Sequence, residues 1–348
     1  MNQPTENTHQ AKPYSAKMGR RTVLTVGGLA TAGILTSGIY HQMNRHTHAS
    51  TRVFIAKNQS YTSNLARTIR DGLIATGLQP IGLKNKRVLL KPNMVEPNRA
   101  ARHMTTHPSI LLAVSQVFRD WGAEVIVGEG PGHVRDTEMA LEESGIREAL
   151  DDGRLPFADL NYERIKFQKN LGQSSSLDGF YFPETVMAVD LIVSLPKMKT
   201  HHWMGVTASL KNMYGVIPGI RYGWPKNVLH FHGIPNTVFD INASLPKTIS
   251  VVDGIDCMEG DGPIMGTLKH MGLLIMGVVP TAVDATVCRL MKIQPERIPY
   301  LQLASGRLGP LAADSISQVG EHWESLAQPF EILDVEHLRN LREKEKTS

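Results

Sequence analysis

The sequence contains very little cysteine. Its 348 residues include two cysteines, Cys257 and Cys288. Two thiols cannot supply a four-thiolate iron–sulfur cluster or zinc site within one chain, and they can form at most one disulfide. The sequence also lacks a G-x-S-x-G nucleophile elbow, a Walker phosphate loop and an H-E-x-x-H zinc helix. We therefore expect no iron–sulfur cluster within this chain, and any metal site would need histidine and carboxylate ligands.

Net charge and hydropathy are both close to neutral. Lys and Arg number 37 against 33 Asp and Glu, which gives a net charge of +4, and the mean hydropathy is −0.18. This hydropathy excludes a protein of many membrane spans, and a 41% hydrophobic content excludes a disordered chain. The positive excess is small and spread out, so we expect no nucleic-acid partner.

The first 50 residues have the pattern of an export signal and linker. Arg20 and Arg21 precede an uncharged run, Thr22–Tyr40, that is rich in Gly, Ala, Thr and Leu. Paired arginines before a mildly apolar run are typical of a twin-arginine (Tat) signal, with a plain membrane anchor as the alternative. We expect the Tat translocase as an export partner and a periplasmic or extracytoplasmic location. Membrane contact is expected only through this segment, which could remain as an anchor because no clear A-x-A cleavage site follows.

Strand and helix patterns alternate from residue 51 onward. Apolar residues recur at helical spacing in Asn64–Thr76 and Pro108–Trp121. Short continuous apolar runs, typical of strands buried on both faces, occur at Val88–Leu90, Val125–Val127, Ile192–Leu195 and Ile249–Val252. This order predicts an α/β fold in a single large domain over 51–335, with a mostly parallel sheet and helices on both faces. A charged tail is predicted for 336–348.

Each of these four strands is followed immediately by a segment that is rich in ionisable residues, glycine and proline. In open parallel sheets, ligands bind outside the carboxyl ends of the strands. Because a loop that only connects two elements does not need such residues, their presence at all four ends predicts one shared cleft. The four segments are Lys91–Asn93, Gly128–Gly132, Pro196–His202 and Asp253–Pro263.

The first two segments predict contacts to a small anionic ligand or cofactor. Lys91 could neutralise an anion and Asn93 could hydrogen-bond it, although a solvated lysine before an ordinary turn has the same sequence. Gly128, Glu129 and Gly130 would allow the backbone to approach a ligand closely. Their spacing does not match the G-x-G-x-x-G dinucleotide fingerprint, and a tight turn is the alternative.

A second group of basic residues lies further along the chain. Lys197 and Lys199 follow a strand, and Lys211 with Asn212 falls on a predicted short helix. Three lysines suit a bound carboxylate or phosphate. A basic surface loop is the alternative interpretation.

Histidines and carboxylates predict the reactive groups. His201 is the candidate general base and Glu259 the second catalytic candidate, since such groups exchange protons near neutral pH. His230 and His232 would lie on one side of an extended segment. A divalent metal could be bound by a candidate set of five ligands, namely His201, His230, His232, Asp253 and Glu259. Aromatic packing and a solvated acidic loop are the alternatives.

The same segments carry a family resemblance over about residues 52–295. The sequence resembles the family called domain of unknown function 362. The matching motifs are Lys91–Asn93, Thr105–Pro108, the glycines of Gly128–Gly132, Leu195–His201, Ser209–Asn212 with Gly215, and Met258–Pro263. Many members of that family carry an additional ferredoxin-like segment with four-cysteine motifs, which this chain lacks. The resemblance supports a shared cleft and implies no particular reaction, because the family name leaves the activity unassigned.

Three functions fit these observations. The first is an exported enzyme that acts on a small anionic substrate bound by the lysines. The second is a non-catalytic periplasmic protein that binds the same ligand. The third is an accessory factor for a redox or maturation partner, which would dock on the aromatic stretch Trp203–Trp224.

Overall fold

A central sheet runs through the molecule. The computed structural model describes residues 51–342, whose strands form a ten-stranded sheet and a separate two-stranded hairpin. The strands are β1 Thr51–Ala56, β2 Arg87–Pro92, β3 Glu124–Glu129, β4 Phe157–Asp159, β5 Ile165–Lys169, β6 Gly179–Pro183, β7 Leu191–Leu195, β8 Lys197–His201, β9 Gly205–Thr207, β10 Thr248–Glu259, β11 Thr267–Gly277 and β12 Ile316–Gly320.

Most neighbouring strands of the large sheet are parallel. Its main path runs β12-β1-β11-β10-β7-β2-β3-β4, and β8 and β9 branch from β10. Along the path, the two pairs made by β11 are antiparallel and the others are parallel. The predicted mostly parallel α/β sheet is therefore confirmed, and the hairpin is formed by β5 and β6.

Helices cover both faces of the sheet. Side chains alternate along β2, so that Leu89 joins one hydrophobic cluster while Val88 and Leu90 join the other. Helices α1–α4 contribute to the cluster of Val88, and α6 and α9–α11 contribute to the cluster of Leu89. The helices are α1 Leu65–Ala75, α2 Pro108–Asp120, α3 Thr137–Ser144, α4 Ile146–Gly153, α5 Glu184–Ala188, α6 Ser209–Asn212, α7 Gly219–Tyr222, α8 Asn227–Phe231, α9 Ile234–Ser244, α10 Pro280–Leu290 and α11 Pro299–Ala304.

Two segments predicted as loops are strands. The segment Asp253–Glu259, predicted as part of an acidic loop, is the second half of β10 and pairs with β11. The predicted basic loop after β7 contains β8, which pairs with β10 and β9. The prediction failed because it treated charged residues as loop-forming. Here cross-strand partners neutralise them, as in the buried pair of Lys197 with Asp253.

The C-terminal part also contains more structure than we predicted. Beyond Gly309, β12 adds a parallel strand beside β1. Leu338 and Leu341 are buried, and the Leu341 carbonyl accepts a 2.9 Å hydrogen bond from the Gln294 backbone. Packing against the domain thus extends into the segment predicted as a charged tail.

The predicted export signal, residues 1–50, lies outside the described residues. Within 51–342, none of the helices combines the length and the apolar character needed to cross a bilayer.

Candidate functional site

A cleft opens where β2 and β3 end. Its volume is about 240 Å³. A single water needs roughly 10–15 Å³ on the same scale, so the cleft has room for a small organic ligand. It is lined by Lys91, Asn93, Met94, Val95, Glu129, Gly130, Gly132, His133, His201, His202, Trp203, Thr207, Lys211, Asn212, Tyr214, Gly215, Pro225, Lys226, His230 and Pro263.

Eight of the residues singled out in the sequence line this cleft. They come from the ends of β2, β3 and β8 and from helices α6 and α8, which are far apart along the chain. The eight are Lys91, Asn93, Glu129, Gly130, His201, Lys211, Asn212 and His230. The others, whose contacts are described below, are Gly128, Lys197, Lys199, His232, Asp253 and Glu259.

A buried ion pair forms the floor of the cleft. The Lys91 ammonium donates to the Glu129 carboxylate, and both side chains are almost fully buried. It also donates to the Pro92 carbonyl at 2.7 Å and to Asn212 Oδ1 at 3.1 Å. An ammonium has three protons to donate, so these three partners use all of them. Burial lowers the pKa of Lys91 and raises that of Glu129, while their mutual attraction acts in the opposite direction.

Gly215 lets the chain pass directly over this ion pair. A Cβ atom at this position would lie 2.1 Å from Glu129 Oε1 and 2.5 Å from Lys91 Nζ. The Gly215 carbonyl also accepts a 2.9 Å hydrogen bond from the backbone of Gly130. Because a side chain does not fit there, a glycine is required at Gly215 for the close approach.

Two asparagines extend the floor. Asn212 donates through Nδ2 to the Lys91 carbonyl and to Ser194 Oγ, both at 3.1 Å. Asn93 Nδ2 donates to Asn212 Oδ1 at 3.2 Å. Asn93 and Asn212 are both buried, so the amide groups are fixed by protein contacts rather than by solvent.

Lys211 presents an ammonium without a hydrogen-bond acceptor among the described residues. It lies on α6, whose first backbone N–H groups donate to the buried carboxylate of Asp284 at 2.7 and 2.9 Å. Its ammonium lies 4.1 Å from the centre of the Tyr214 ring, a cation–π contact. Burial, followed by repulsion from Lys91, lowers the pKa of Lys211 to about 8. Asp284 holds the helix that positions this lysine, and its own pKa is raised to about 7 by burial.

Lys226 is a cleft lysine that the sequence did not reveal. It is 2% exposed. Its ammonium donates to the Ile217 carbonyl and, at 2.9 Å, to Asn161 Oδ1. Burial lowers its pKa to about 7, although Glu129 acts in the opposite direction. Lys226 does not directly follow a strand and belongs to no recognisable motif. Its place in the cleft therefore depends on how the chain folds.

Two of the four histidines that line the cleft, His201 and His230, have pKa values well below the usual value. His201 Nδ1 accepts a 3.1 Å hydrogen bond from the Trp203 backbone, so the ring proton of the neutral form lies on Nε2. Burial and the charge of Lys211 hold the His201 pKa well below its usual value. In this tautomer His201 is a hydrogen-bond donor through Nε2, and its role as a general base stays a prediction. The same causes lower the pKa of His230 to about 4.

Lys197 and Asp253 form a second buried pair outside the cleft lining. Their side chains are fully buried and lie 2.6 Å apart. Asp253 also accepts hydrogen bonds from the Tyr61 hydroxyl and the His107 backbone. Lys199, also fully buried, donates to the Met104 and Pro263 carbonyls at 2.8 and 3.3 Å. Burial and the neighbouring Lys197 lower its pKa to about 7.

The remaining predicted residues have contacts of their own. Gly128 packs against Leu89 and Leu160. Glu259 accepts hydrogen bonds from Lys269 at 2.9 Å and from the Glu331 backbone at 3.0 Å.

The predicted metal ligands are not gathered at one point. His230 lies in helix α8 rather than in an extended segment, and His232, just after that helix, contacts Ser176 Oγ at 2.7 Å. Asp253 and Glu259 are each paired with a lysine. Within residues 51–342, no group of three or more His, Cys, Asp or Glu side chains is placed to hold a metal ion. The divalent metal therefore stays a prediction.

This chain is similar to one known protein in sequence and to another in structure. The thylakoid-associated protein sll1697 of Synechocystis is 28% identical over 276 residues, covering 75% of this chain and 81% of its own length. The lactate racemase apoprotein from Thermoanaerobacterium thermosaccharolyticum is 11% identical, with a TM-score of 0.44. The match covers 69% of this chain and 56% of the racemase chain.

A family model matches more than half of the chain. The model described as domain of unknown function 362 covers residues 88–289, from β2 to α10, and so includes all of the residues that line the cleft. The chain therefore belongs to the domain of unknown function 362 family.

Proposed function

We propose that the cleft recognises a small oxyanion as the substrate of an enzyme. The observation that carries the proposal is the imbalance of charge in the lining. The lining contains three lysines, Lys91, Lys211 and Lys226, and among its residues a single carboxylate, Glu129. Burying an uncompensated cation is unfavourable, so a bound anion would stabilise this arrangement.

The hydrogen bonds separate the roles of the three lysines. All three protons of Lys91 are used by protein acceptors, and Lys226 donates to two carbonyl-type oxygens. Lys211 has no such acceptor among the described residues. An oxyanion can form the strongest new hydrogen bond with the ammonium that has the fewest partners. We therefore assign Lys211 as the main anion contact and Lys91 as a structural support.

The histidines would act next to this anion. His201 can donate from Nε2 to a substrate oxygen, as described above. The imidazole ring of His230 makes no hydrogen bond to the described residues, so its unprotonated ring nitrogen is available as a proton acceptor. A bound anion would raise the pKa of His230, because it would offset the charge of Lys211.

The affinity for an anion is expected to fall about tenfold between pH 7 and pH 9. The pKa values of about 7 for Lys226 and about 8 for Lys211 mean that both ammonium groups lose charge in this range. A bound anion favours the charged form and raises these pKa values, so binding is tightest below them. Isothermal titration calorimetry of the full chain with sulfate, whose charge is constant over this range, measures the effect.

The same titrations at a second ionic strength should show the same pH profile, because salt screens buried charges only weakly. An affinity that does not change between pH 6 and pH 9 would contradict the role of the lysines. An absence of binding for sulfate and for simple carboxylates would contradict the proposed function itself.

We also propose that the protein is exported by the Tat route. Arg20 and Arg21 before an apolar run support this, and the name of the thylakoid-associated relative points to a membrane-bounded compartment. The double variant Arg20→Lys/Arg21→Lys is expected to accumulate in the cytoplasm, measured by cell fractionation and immunoblotting. Arg45→Lys is the matched control. Equal extracytoplasmic amounts of wild type and double variant would disprove the proposal.

A further inference from the structure

We infer that the anion bound in the cleft carries a hydroxyl group, which donates a hydrogen bond to Asn93 Oδ1. This inference rests on the proposed function and narrows its substrate class. Asn93 lines the cleft and is 6% exposed. Its Oδ1 is buried and has no hydrogen-bond partner among the described residues. A buried carbonyl oxygen without a donor is unfavourable, so a ligand that supplies one gains affinity.

The orientation of the Asn93 amide is set by its neighbour. Asn212 uses Nδ2 for the Lys91 carbonyl and Ser194 Oγ, and its Oδ1 accepts from the Lys91 ammonium. Asn212 therefore offers an oxygen to Asn93, and Asn93 must meet it with Nδ2. A flipped Asn93 would place two carbonyl oxygens together. The unpaired group is thus an acceptor, and the complementary ligand group is a donor.

A second unpaired polar atom lies on the same lining. Thr207, at the end of β9, is 3% exposed, and its Oγ1 has no partner among the described residues. A hydroxyl can both donate and accept a hydrogen bond. Thr207 Oγ1 can therefore donate to the oxygen of a ligand hydroxyl or accept from its hydrogen. A bare anion such as sulfate would leave the acceptor Asn93 Oδ1 unpaired.

The charge of the cleft decides which donor is suitable. An amine would enter as an ammonium, and Lys91, Lys211 and Lys226 would repel it. A hydroxyl group can donate the hydrogen bond without adding charge. The geometry therefore indicates a hydroxylated oxyanion, either a hydroxycarboxylate or the phosphate ester of a polyol.

Matched pairs of ligands test this inference on the wild-type full chain. Glycerate is compared with propionate, and glycerol phosphate with propyl phosphate, by titration calorimetry at pH 7. The hydroxylated member of at least one pair is expected to bind about tenfold more tightly, since it fills an otherwise unpaired acceptor. The pair that shows the preference identifies the carboxylate or the phosphate class.

Variants then assign the contact. In Asn93→Leu the preference is expected to disappear while propionate or propyl phosphate still binds. Thr207→Val, which keeps the side-chain shape, is expected to reduce the preference about threefold, and circular dichroism checks the folding of both. Equal binding within both wild-type pairs would overturn the inference but leave the proposed function intact. A preference that persists in folded Asn93→Leu would also overturn it, whereas a failure of all four ligands would count against the proposed function.

Discussion

Replacement of Lys91 by methionine is expected to lower the free energy of unfolding by about 3–5 kcal/mol, because it removes one partner of a buried ion pair. The Glu129 carboxylate is 2% exposed, so water cannot fully replace the lost ammonium. The variant must either bury that charge or protonate Glu129, whose pKa burial already raises. Asn212 Oδ1 and the Pro92 carbonyl lose a donor as well.

The double variant Lys91→Met/Glu129→Gln tests the cause of this loss. It removes both charges, so no buried ion remains without a partner, and we expect it to be more stable than Lys91→Met alone. Gly215, which lies against both side chains, keeps the replacements closely packed. Urea unfolding followed by circular dichroism measures the three proteins. Lys84→Met, at an exposed lysine, is the matched control.

A loss of less than about 1 kcal/mol in Lys91→Met would show that the ion pair is not a structural element, because breaking a buried pair normally has a larger effect. A double variant no more stable than the single one would indicate that lost packing, rather than the unpaired carboxylate, is responsible. The first result would return Lys91 to the group of possible ligand contacts.

Much of the cleft could be predicted from the sequence, because the positions of its residues follow from one rule of parallel sheets. Lys91, Asn93 and Glu129 directly follow or end buried apolar strands, and the carboxyl ends of adjacent parallel strands meet at one edge. The fold was predictable for a similar reason, since short apolar runs alternated with amphipathic helices. What the rule cannot show is which charged residue at a strand end faces the ligand and which faces another side chain.

The positions of the other charged residues depend on tertiary contacts. Asp253 and Glu259 had the composition of an acidic loop, yet each is paired with a lysine from another strand. Such cross-strand pairing leaves no trace in local sequence. Lys226 enters the cleft from a stretch of glycine and aromatic residues, and Asp284 supports α6 from a helix more than seventy residues later in the chain. Neither position follows from periodicity or from a motif.

Replacement of Lys211 by methionine is expected to weaken sulfate binding by about 10- to 100-fold at pH 7, with little loss of stability. A hydrogen bond to a charged group contributes roughly 1.5–3 kcal/mol, which corresponds to this range. Stability is expected to stay close to wild type because the Lys211 ammonium has a cation–π contact with Tyr214 and no hydrogen-bond acceptor among residues 51–342. Burial, which lowers the pKa of Lys211 to about 8, disfavours the charged form at this position.

Calorimetry and urea unfolding on the same samples separate the two lysines. Lys91→Met should lose stability, whereas Lys211→Met should lose affinity together with the part of the pH dependence near pH 8. Lys211→Arg keeps the charge and should recover part of the affinity, although a guanidinium fits a site built for an ammonium imperfectly. A Lys211→Met protein that binds sulfate like wild type would transfer the anion contact to Lys226, the cleft lysine with one proton left to donate. The difference between the two lysines thus rests on hydrogen-bond partners, since both are cations in the same cleft.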